Sequence, residues 1–338
     1  MSNYSDNLFI TSQFDQFYAS RGYLQLEPAR ITSRIDRTVY LTNSATNLFK
    51  SHFGEKKCYF ARQKSMRTQI LTDYYREETE TEYPTYFVSF GAFAPISCFG
   101  KLIEDTIDFH IHLGFLPEDM RLRISSEETF LADYAYSSIL KDHVFSDHKD
   151  NKFDHVYGEG VYGRAIKFDY YQEKIQRYKN LGYFLVIKKD EEILGCEYAS
   201  SDQLILMRLK QIRYAIAASN AADLFQTGTF MQRRFADSLV GTAHLIYEGI
   251  RPQSSDTNGR TLKKYISALK YFSQCLKIAE ADIPRMVDQY LNLEYGKTYA
   301  FAEERRRLLE DSLLSIGISM NDHKTSNQQT ASCRDGGT

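Results

Sequence analysis

An α+β fold, a sheet of separated strands followed by an all-helical region, is what three features of this sequence predict. The first is a set of strand-like runs, Val39–Leu41, Tyr86–Phe93 and Leu181–Ile187, rich in apolar and aromatic β-formers. The second is their spacing. They are non-contiguous and divided by helix-like stretches, which suits an antiparallel α+β layer better than a doubly wound parallel sheet. The third is a change of character: from Phe235 onward helical periodicity takes over.

Composition bounds the class. With 338 residues there is room for one large domain or two ordinary ones, with ample core. Hydrophobic residues at 43% and charged residues at 25% are globular values. A net charge of -2 supplies no global field for nucleic acid, so any such binding rests on a local basic face. The five cysteines (58, 98, 196, 275, 333) are scattered, odd in number and without a CxxC pair, which argues for a reducing compartment and against zinc. No apolar run reaches membrane-spanning length, and the start MSNYSDNLFI lacks the basic opening of a signal peptide. A cytoplasmic protein with no membrane partner and no metal-ligating cluster is expected.

Taken in order, residues 8–22 place Leu8, Phe9, Phe14, Phe17 and Tyr18 at near-helical spacing and stop at Gly22. Pro28 ends the strand that follows. Val39-Tyr-Leu-Thr-Asn-Ser-Ala-Thr-Asn-Leu-Phe-Lys50 opens as a buried strand and runs into a polar turn or short helix. Residues 76–83 are an acidic loop, and Tyr86–Phe93 is an aromatic strand broken by Gly91. Helices and a stop at Pro117 fill much of 101–145, with Leu122–Ser125 as a strand and Glu127–Leu140 as an amphipathic helix. In a strand, alternation would set His110 and His112 on one face, but no carboxylate or cysteine completes a coordination sphere, so they read as surface or helix histidines. Asp142–Asp154 reads as an exposed loop. Gly158-Glu-Gly160-Val-Tyr-Gly163 matches the dinucleotide fingerprint literally. It lacks a preceding buried strand and the following helix that would receive a pyrophosphate, because Arg164–Tyr171 alternates as a strand. Glu191-Glu192 marks a turn. Beyond Phe235 come a helix stopped by Gly249, a polar turn at Gln253–Arg260, a helix carrying Lys263 and Lys264, one more helix over Glu294–Leu314 and a polar tail.

Many of these phrases, in this order, resemble the alanyl-tRNA synthetase family. The opening helix Phe14-x-x-Phe17-Tyr18-x-x-x-Gly22-Tyr23, the Thr42-Asn43 to Phe49-Lys50 segment and Gln63-Lys64-x-x-Arg67 match the first part of its catalytic domain. Thr85-Tyr86-Phe87 with Gly91-x-Phe93 is similar to its second motif, and Arg208 with Asp223-Leu224-Phe225 downstream to its third. The resemblance implies a class II synthetase-like antiparallel sheet flanked by helices over 1–230. A helical domain that recognises a tRNA acceptor stem follows over 231–317, and 318–338 form a disordered tail. It implies activation of an amino acid, alanine or a relative, with ATP and Mg2+, and its transfer to tRNA or another acceptor. Arg208 and Arg67 stand as catalytic residues, Phe87, Ser89 and Arg76 as ATP-binding, and Asp202 and Tyr183 as amino-acid-binding. Lys263, Lys264, Ser255 and Asn258 stand toward tRNA, the lysines having a solvated helix face as the plain alternative.

Departures from the family pattern open a second reading. The ATP-gripping arginine of the second motif falls on Glu82 and its glutamate on Val88, while the glycines of the third motif fall on Gln203 and Ile205. A carboxylate at 82 repels a triphosphate. Either Arg76 or Arg67 substitutes, or the chain does not adenylate in the usual way. It is then a degenerate paralogue that binds tRNA or Ala-tRNA, or a biosynthetic enzyme that reuses the pocket. Oligomeric state stays open.

Overall fold

The computed structural model describes residues 2–77, 83–148, 153–296 and 303–314. The chain divides into two compact units, Met1–Arg67 with Glu82–Ser219, and Thr68–Thr81 with Asn220–Thr338.

The first unit begins with α1 (Asn3–Ser20), which buries Ile10, Phe14 and Tyr18 at four-residue spacing. It ends as the sequence anticipates. Gly22 adopts φ +83°, Gly22 N–H bonds Ala19 O, and Tyr23 N–H bonds Tyr18 O, while the two tyrosine rings meet edge to face. That pairing of two carbonyls with a ring contact is the glycine-dependent Schellman stop. After it come β1 (Leu24–Leu26), α2 (Thr46–Phe49), β2 (Tyr59–Met66), β3 (Tyr86–Ala94), α3 (Phe99–His112), β4 (Met120–Ser125) and α4 (Thr129–Ser137). β5 (Val144–Asp147), β6 (Asp154–Gly158), β7 (Val161–Gln172), β8 (Arg177–Lys189), β9 (Glu192–Ser201) and α5 (Asp202–Leu209) complete the unit.

The strands form one nine-stranded sheet in the order β1-β2-β3-β9-β8-β7-β4-β5, with β6 added on β7. Pairing is antiparallel except for β1 with β2 and β4 with β5. This is the α+β sheet expected, and the dinucleotide reading is excluded. Gly158, Glu159 and Gly160 form the tight turn joining β6 to antiparallel β7, with Glu159 and Gly160 both at positive φ, as a two-residue hairpin demands.

One face of the sheet is sealed. Phe60, Phe90, Ile166, Phe168, Phe184, Val186 and Tyr198 pack with Phe14 and Tyr18 of α1, Leu102 and Ile103 of α3 and Leu131 of α4. Phe14 lies flat on Phe90, ring centroids 4.4 Å apart. Successive strand residues alternate between faces, so the opposite face carries Ser65, Phe87, Ser89, Gly91, Glu197, Tyr183, Lys167 and Asp169. A bulge keeps that row in step. Phe168 pairs with Gly182 and Asp169 with Asn180, so Leu181 is the extra residue and falls into the core.

Three expectations are corrected. Val39–Leu41 is not a strand: Tyr40 is 72% exposed and regular pairing is replaced by single bonds from Thr42 N–H to Ile31 O and from Met66 N–H to Thr42 O. His110 and His112, by contrast, are helix histidines as expected: they lie in the last turn of α3, His112 exposed and His110 buried between Thr106 O and the Tyr198 hydroxyl. The stretch Asp142–Asp154 contains β5 and the start of β6. A single helix over Glu294–Leu314 is not formed, because Gly296 at φ +74° ends α8 (Ile283–Tyr295) and α9 begins at Glu303 (Glu303–Leu314). Glu82 and residues 318–338 lie outside the described residues.

In the second unit α6 (Phe230–Tyr247) opens with a capping box of Thr229 and Gln232 and packs on α7 (Thr257–Cys275). Gly241 makes the contact close: a Cβ there would stand 2.8 Å from the Tyr265 ring. His244 is held between the hydroxyls of Tyr290 and Tyr295 at 2.9 and 3.0 Å. No described helix is long and apolar enough to cross a membrane.

Candidate functional site

The Thr42–Lys50 segment is built to hold itself on the open face of the sheet. Asn47 Oδ1 accepts the N–H groups of Asn43 and Ser44, and its amide donates to Asp36 at 2.6 Å. Lys50 pairs with the same Asp36 at 2.7 Å, and this lysine with its hydroxyl and amide neighbours keeps that carboxyl below its usual range against burial. Ala45 N–H donates to Ser89 Oγ, and Thr46 donates to Glu197 Oε1 at 2.6 Å. Glu197 is fully buried and burial pushes it up to about 8, against the Thr46 hydrogen bond. So Ser89, expected at ATP, receives a backbone N–H of its own chain.

Beside this cover lies a polar and aromatic array. Arg67, just past β2, sets its guanidinium 4.2 Å from the Tyr83 ring and 5.1 Å from the Phe87 ring. The Tyr83 hydroxyl meets the Tyr183 hydroxyl at 3.4 Å and accepts from Asn180 Nδ2 at 2.8 Å. Asn180 Oδ1 is buried without a hydrogen-bond partner. His155 packs edge-on against Tyr183, and Lys167 pairs across strands with Tyr183 and with Arg123. Asp169, 1% exposed, is gripped by Arg121 and Arg123 at 3.2 and 3.1 Å, and Arg123 also reaches Asp147.

The electrostatics favour a negative ligand. His155 is pushed down to about 4 by burial, then by Lys167 and Arg67, with Asp154 opposing. Burial raises the Tyr183 hydroxyl as well, with Arg67 pulling the other way. At neutral pH the array therefore holds a neutral imidazole between two cations. It offers charge and hydrogen bonds rather than a proton acceptor.

Arg67, Phe87 and Tyr183 are thus brought together, and Asn180, His155, Lys167 and Tyr83 join them unannounced. The signal for Lys167 and Asp169 was present: charged residues two apart in a strand of buried aromatics mark a polar inner face. Other candidates stand elsewhere. Arg208 is 1% exposed, its Nε donating to Asn180 O at 2.8 Å and its Nη1 reaching Gln172. Asp202 Oδ1 accepts the N–H groups of Val88 and Gln203, clamping the start of α5. Arg76 belongs to the other unit, exposed and paired with Asp73. In that unit Asp256 caps α7 through Gly259 N–H, and Asn258 lies in the first turn. Ser255 is exposed, as is Lys264, while Lys263 Nζ donates to Ser254 Oγ at 2.8 Å.

Among the described residues no group of three or more His, Cys, Asp or Glu side chains is placed to hold a metal ion. The carboxylates nearest the array are engaged by arginines. They do not make a protein-held Mg2+ site.

Solved structures with partial similarity to this chain include three named as aminoacyl-tRNA synthetases. Histidyl-tRNA synthetase from S. aureus has TM-score 0.40 and 11% identity, covering 60% of this chain and 69% of its own. Asparaginyl-tRNA synthetase from Entamoeba histolytica has TM-score 0.40 and 10% identity, covering 64% and 65%. A putative threonyl-tRNA synthetase from Aeropyrum pernix has TM-score 0.38 and 12% identity, covering 73% and 70%. No protein-family model and no curated protein sequence matches the chain.

Proposed function

We propose that this chain is an alanyl-tRNA synthetase-like protein that activates an amino acid with ATP on the open face of its sheet. The observation that carries this reading is the array Phe87–Arg67–Tyr83–Asn180–Tyr183, with Lys167 beside it and His155 kept neutral. Adenylation suits such a face. The substrate carboxylate is already the nucleophile, so the protein supplies position and positive charge for the α-phosphate rather than a base. Arg67 and Lys167 provide the charge, Phe87 an aromatic floor for adenine, and the unpartnered Asn180 Oδ1 an acceptor for the substrate ammonium. Asn180 takes the role expected of Asp202. Arg208 acts as a positioning residue through its bond to the Asn180 carbonyl. Mg2+ would arrive bound to ATP, without a protein cage. A small amino acid, alanine or a relative, is the substrate, and the helical unit presents the tRNA acceptor stem through Lys264 and Lys263.

Pyrophosphate exchange measured across all amino acids, with and without tRNA, tests this directly. Exchange should appear with a small amino acid, and Arg67→Ala should lower it by about 10²–10³, the scale for a preorganised electrostatic group. No exchange with any amino acid would refute activation.

The burial of Arg208 favours a second reading, in which the chain has lost adenylation and only binds tRNA. Titration of tRNA at two salt concentrations then carries the decision. Phosphate contacts by Lys263 and Lys264 predict steep salt dependence, flattened by about two slope units when both become Ala. Binding without exchange supports this reading, and salt-insensitive or absent binding removes it.

A further inference from the structure

The helical unit holds a buried charge that the proposed function does not use. Arg233 and Arg234 stand side by side one turn into α6, 3% and 4% exposed. Arg233 is provided for: its Nη1 donates to Gly228 O at 2.7 Å and its Nη2 faces Glu77 at 3.8 Å. Arg234 differs. Its guanidinium carbon lies 4.6 Å from the Tyr74 ring centre and 5.4 Å from that of Phe230, yet Nε and Nη2 have no hydrogen-bond partner. Asp237, one turn further on, accepts the Tyr74 hydroxyl at 2.7 Å.

A desolvated guanidinium with two unmade hydrogen bonds is expensive. Each unsatisfied donor costs about 1–3 kcal/mol and more when charged, whereas two aromatic faces return roughly 0.5–2 kcal/mol each. The site is also close to the positive end of α6, where the helix dipole favours an anion over a cation. The two idle groups are not arbitrary. Nε–H and Nη2–H run parallel along one edge of the guanidinium plane, the edge that receives two oxygens of one oxyanion. The aromatic rings hold that plane from its faces, and no protein group meets the edge.

We propose that the Arg234 edge is an anion-binding site that takes a phosphate-type oxyanion, free or carried by a nucleotide. Tyr74 and Phe230 hold the fork. Tyr75, half exposed and adjacent to Tyr74, offers a ring to a base if the phosphate belongs to a nucleotide. The site lies in the helical unit and is independent of the array on the sheet.

Thermal unfolding of the full chain in phosphate against chloride at matched ionic strength is the test, with AMP and acetate as further arms. At about a hundredfold the Kd, phosphate should raise Tm by roughly 4 °C or more, and Arg234→Met should abolish the response. Arg234→Met without ligand should be as stable as the parent or more so, because a well-packed apolar side chain replaces an unpaired buried charge. Where that variant fails to fold, Arg234→Lys keeps the charge but lacks the fork, and should shift the phosphate response to at least about tenfold higher concentration. A lower saturating concentration for AMP, lost in Tyr75→Ala, assigns the phosphate to a nucleotide, and equal saturation assigns it to the free ion. The proposal is overturned if the parent unfolds alike in phosphate and chloride, if acetate acts as strongly as phosphate, or if the Arg234 variants respond like the parent.

Discussion

On β3, Ser89 and Phe90 are neighbours in the chain and point to opposite faces of the sheet. Phe90 is fully buried, stacked on Phe14 within a continuous apolar layer from α1, α3 and α4. Ser89 is buried too, at 3%, but it accepts Ala45 N–H among Gly91, Glu197 and the polar row running to Asp169. Equal burial thus has two meanings. On the sealed face it is area removed from water, which adds up over side chains and tolerates no void. On the open face every buried group needs a named partner, and the groups that lack one, Asn180 Oδ1 and Glu197 Oε2, mark where a ligand or a proton belongs.

This contrast can be broken in graded steps. The largest effect belongs to the sealed face. Phe90→Ala should cost about 3–5 kcal/mol of unfolding free energy in urea titration, since the ring leaves a cavity under Phe14. A loss below 1 kcal/mol would mean that the layer collapses to fill it. Next, Gly91→Val tests how tightly the Thr42–Lys50 segment covers the open face. A Cβ there would stand 2.7 Å from Phe49 Cε2 and 2.8 Å from Ala45 Cβ. Overpacking of this kind costs about 1–3 kcal/mol, and an unperturbed Tm would show that the segment lifts freely.

Glu197 gives the third step, through pH. Its folded pKa, about 8, lies above the ordinary 4.5. Between those values the native state keeps a proton that the unfolded chain has released, so stability falls as pH rises, by about 1.4 kcal/mol per unit. His110 and His155 have the opposite sign. Both are pushed down to about 4 from 6.5, so each removes stability as pH falls through that range. The window from 6.5 to 8 therefore isolates Glu197 from both histidines. Glu197→Gln should flatten the slope there while keeping the Thr46 contact. An identical slope in parent and variant denies the neutral carboxyl. The smallest stability change is expected from Tyr183→Phe, under about 1.5 kcal/mol for one hydroxyl that meets Tyr83 at 3.4 Å. Its signature should be functional: altered pyrophosphate exchange at nearly unchanged stability. The reverse outcome would make Tyr183 a core residue.

The sealed face was readable from the chain because its rule is local. The aromatic alternation of Tyr86–Phe93, the buried run Leu181–Ile187 and the helix stop at Gly22 all appear where short-range periodicity and capping place them. Val39–Leu41 has the same β-forming residues, yet a strand also needs a neighbour to pair with along its length. Only isolated bonds around Thr42 reach one. The open face depends on such long-range facts. Lys167 meets Tyr183 and Arg123 because of the register of β7 with β8 and β4, and Asn180 turns toward the array because the unpaired Leu181 is taken up by the core. The reach of Arg208 toward the Asn180 carbonyl was hidden in the same way.

A sheet this wide exposes a hazard at its margins, because unpaired edge strands invite other chains to add on. Here the two ends of the strand order are β1, three residues long, and β5, four residues long. Each runs parallel to its inner neighbour and soon gives way to a turn. The long strands β7, β8 and β9, which would make the best templates, are interior. Together with β6, five residues long and paired only to β7, these short edges limit intermolecular strand addition to a few hydrogen bonds at each margin. Variants that lengthen β1 past Glu27 or β5 past Asp147 are where aggregation should first appear.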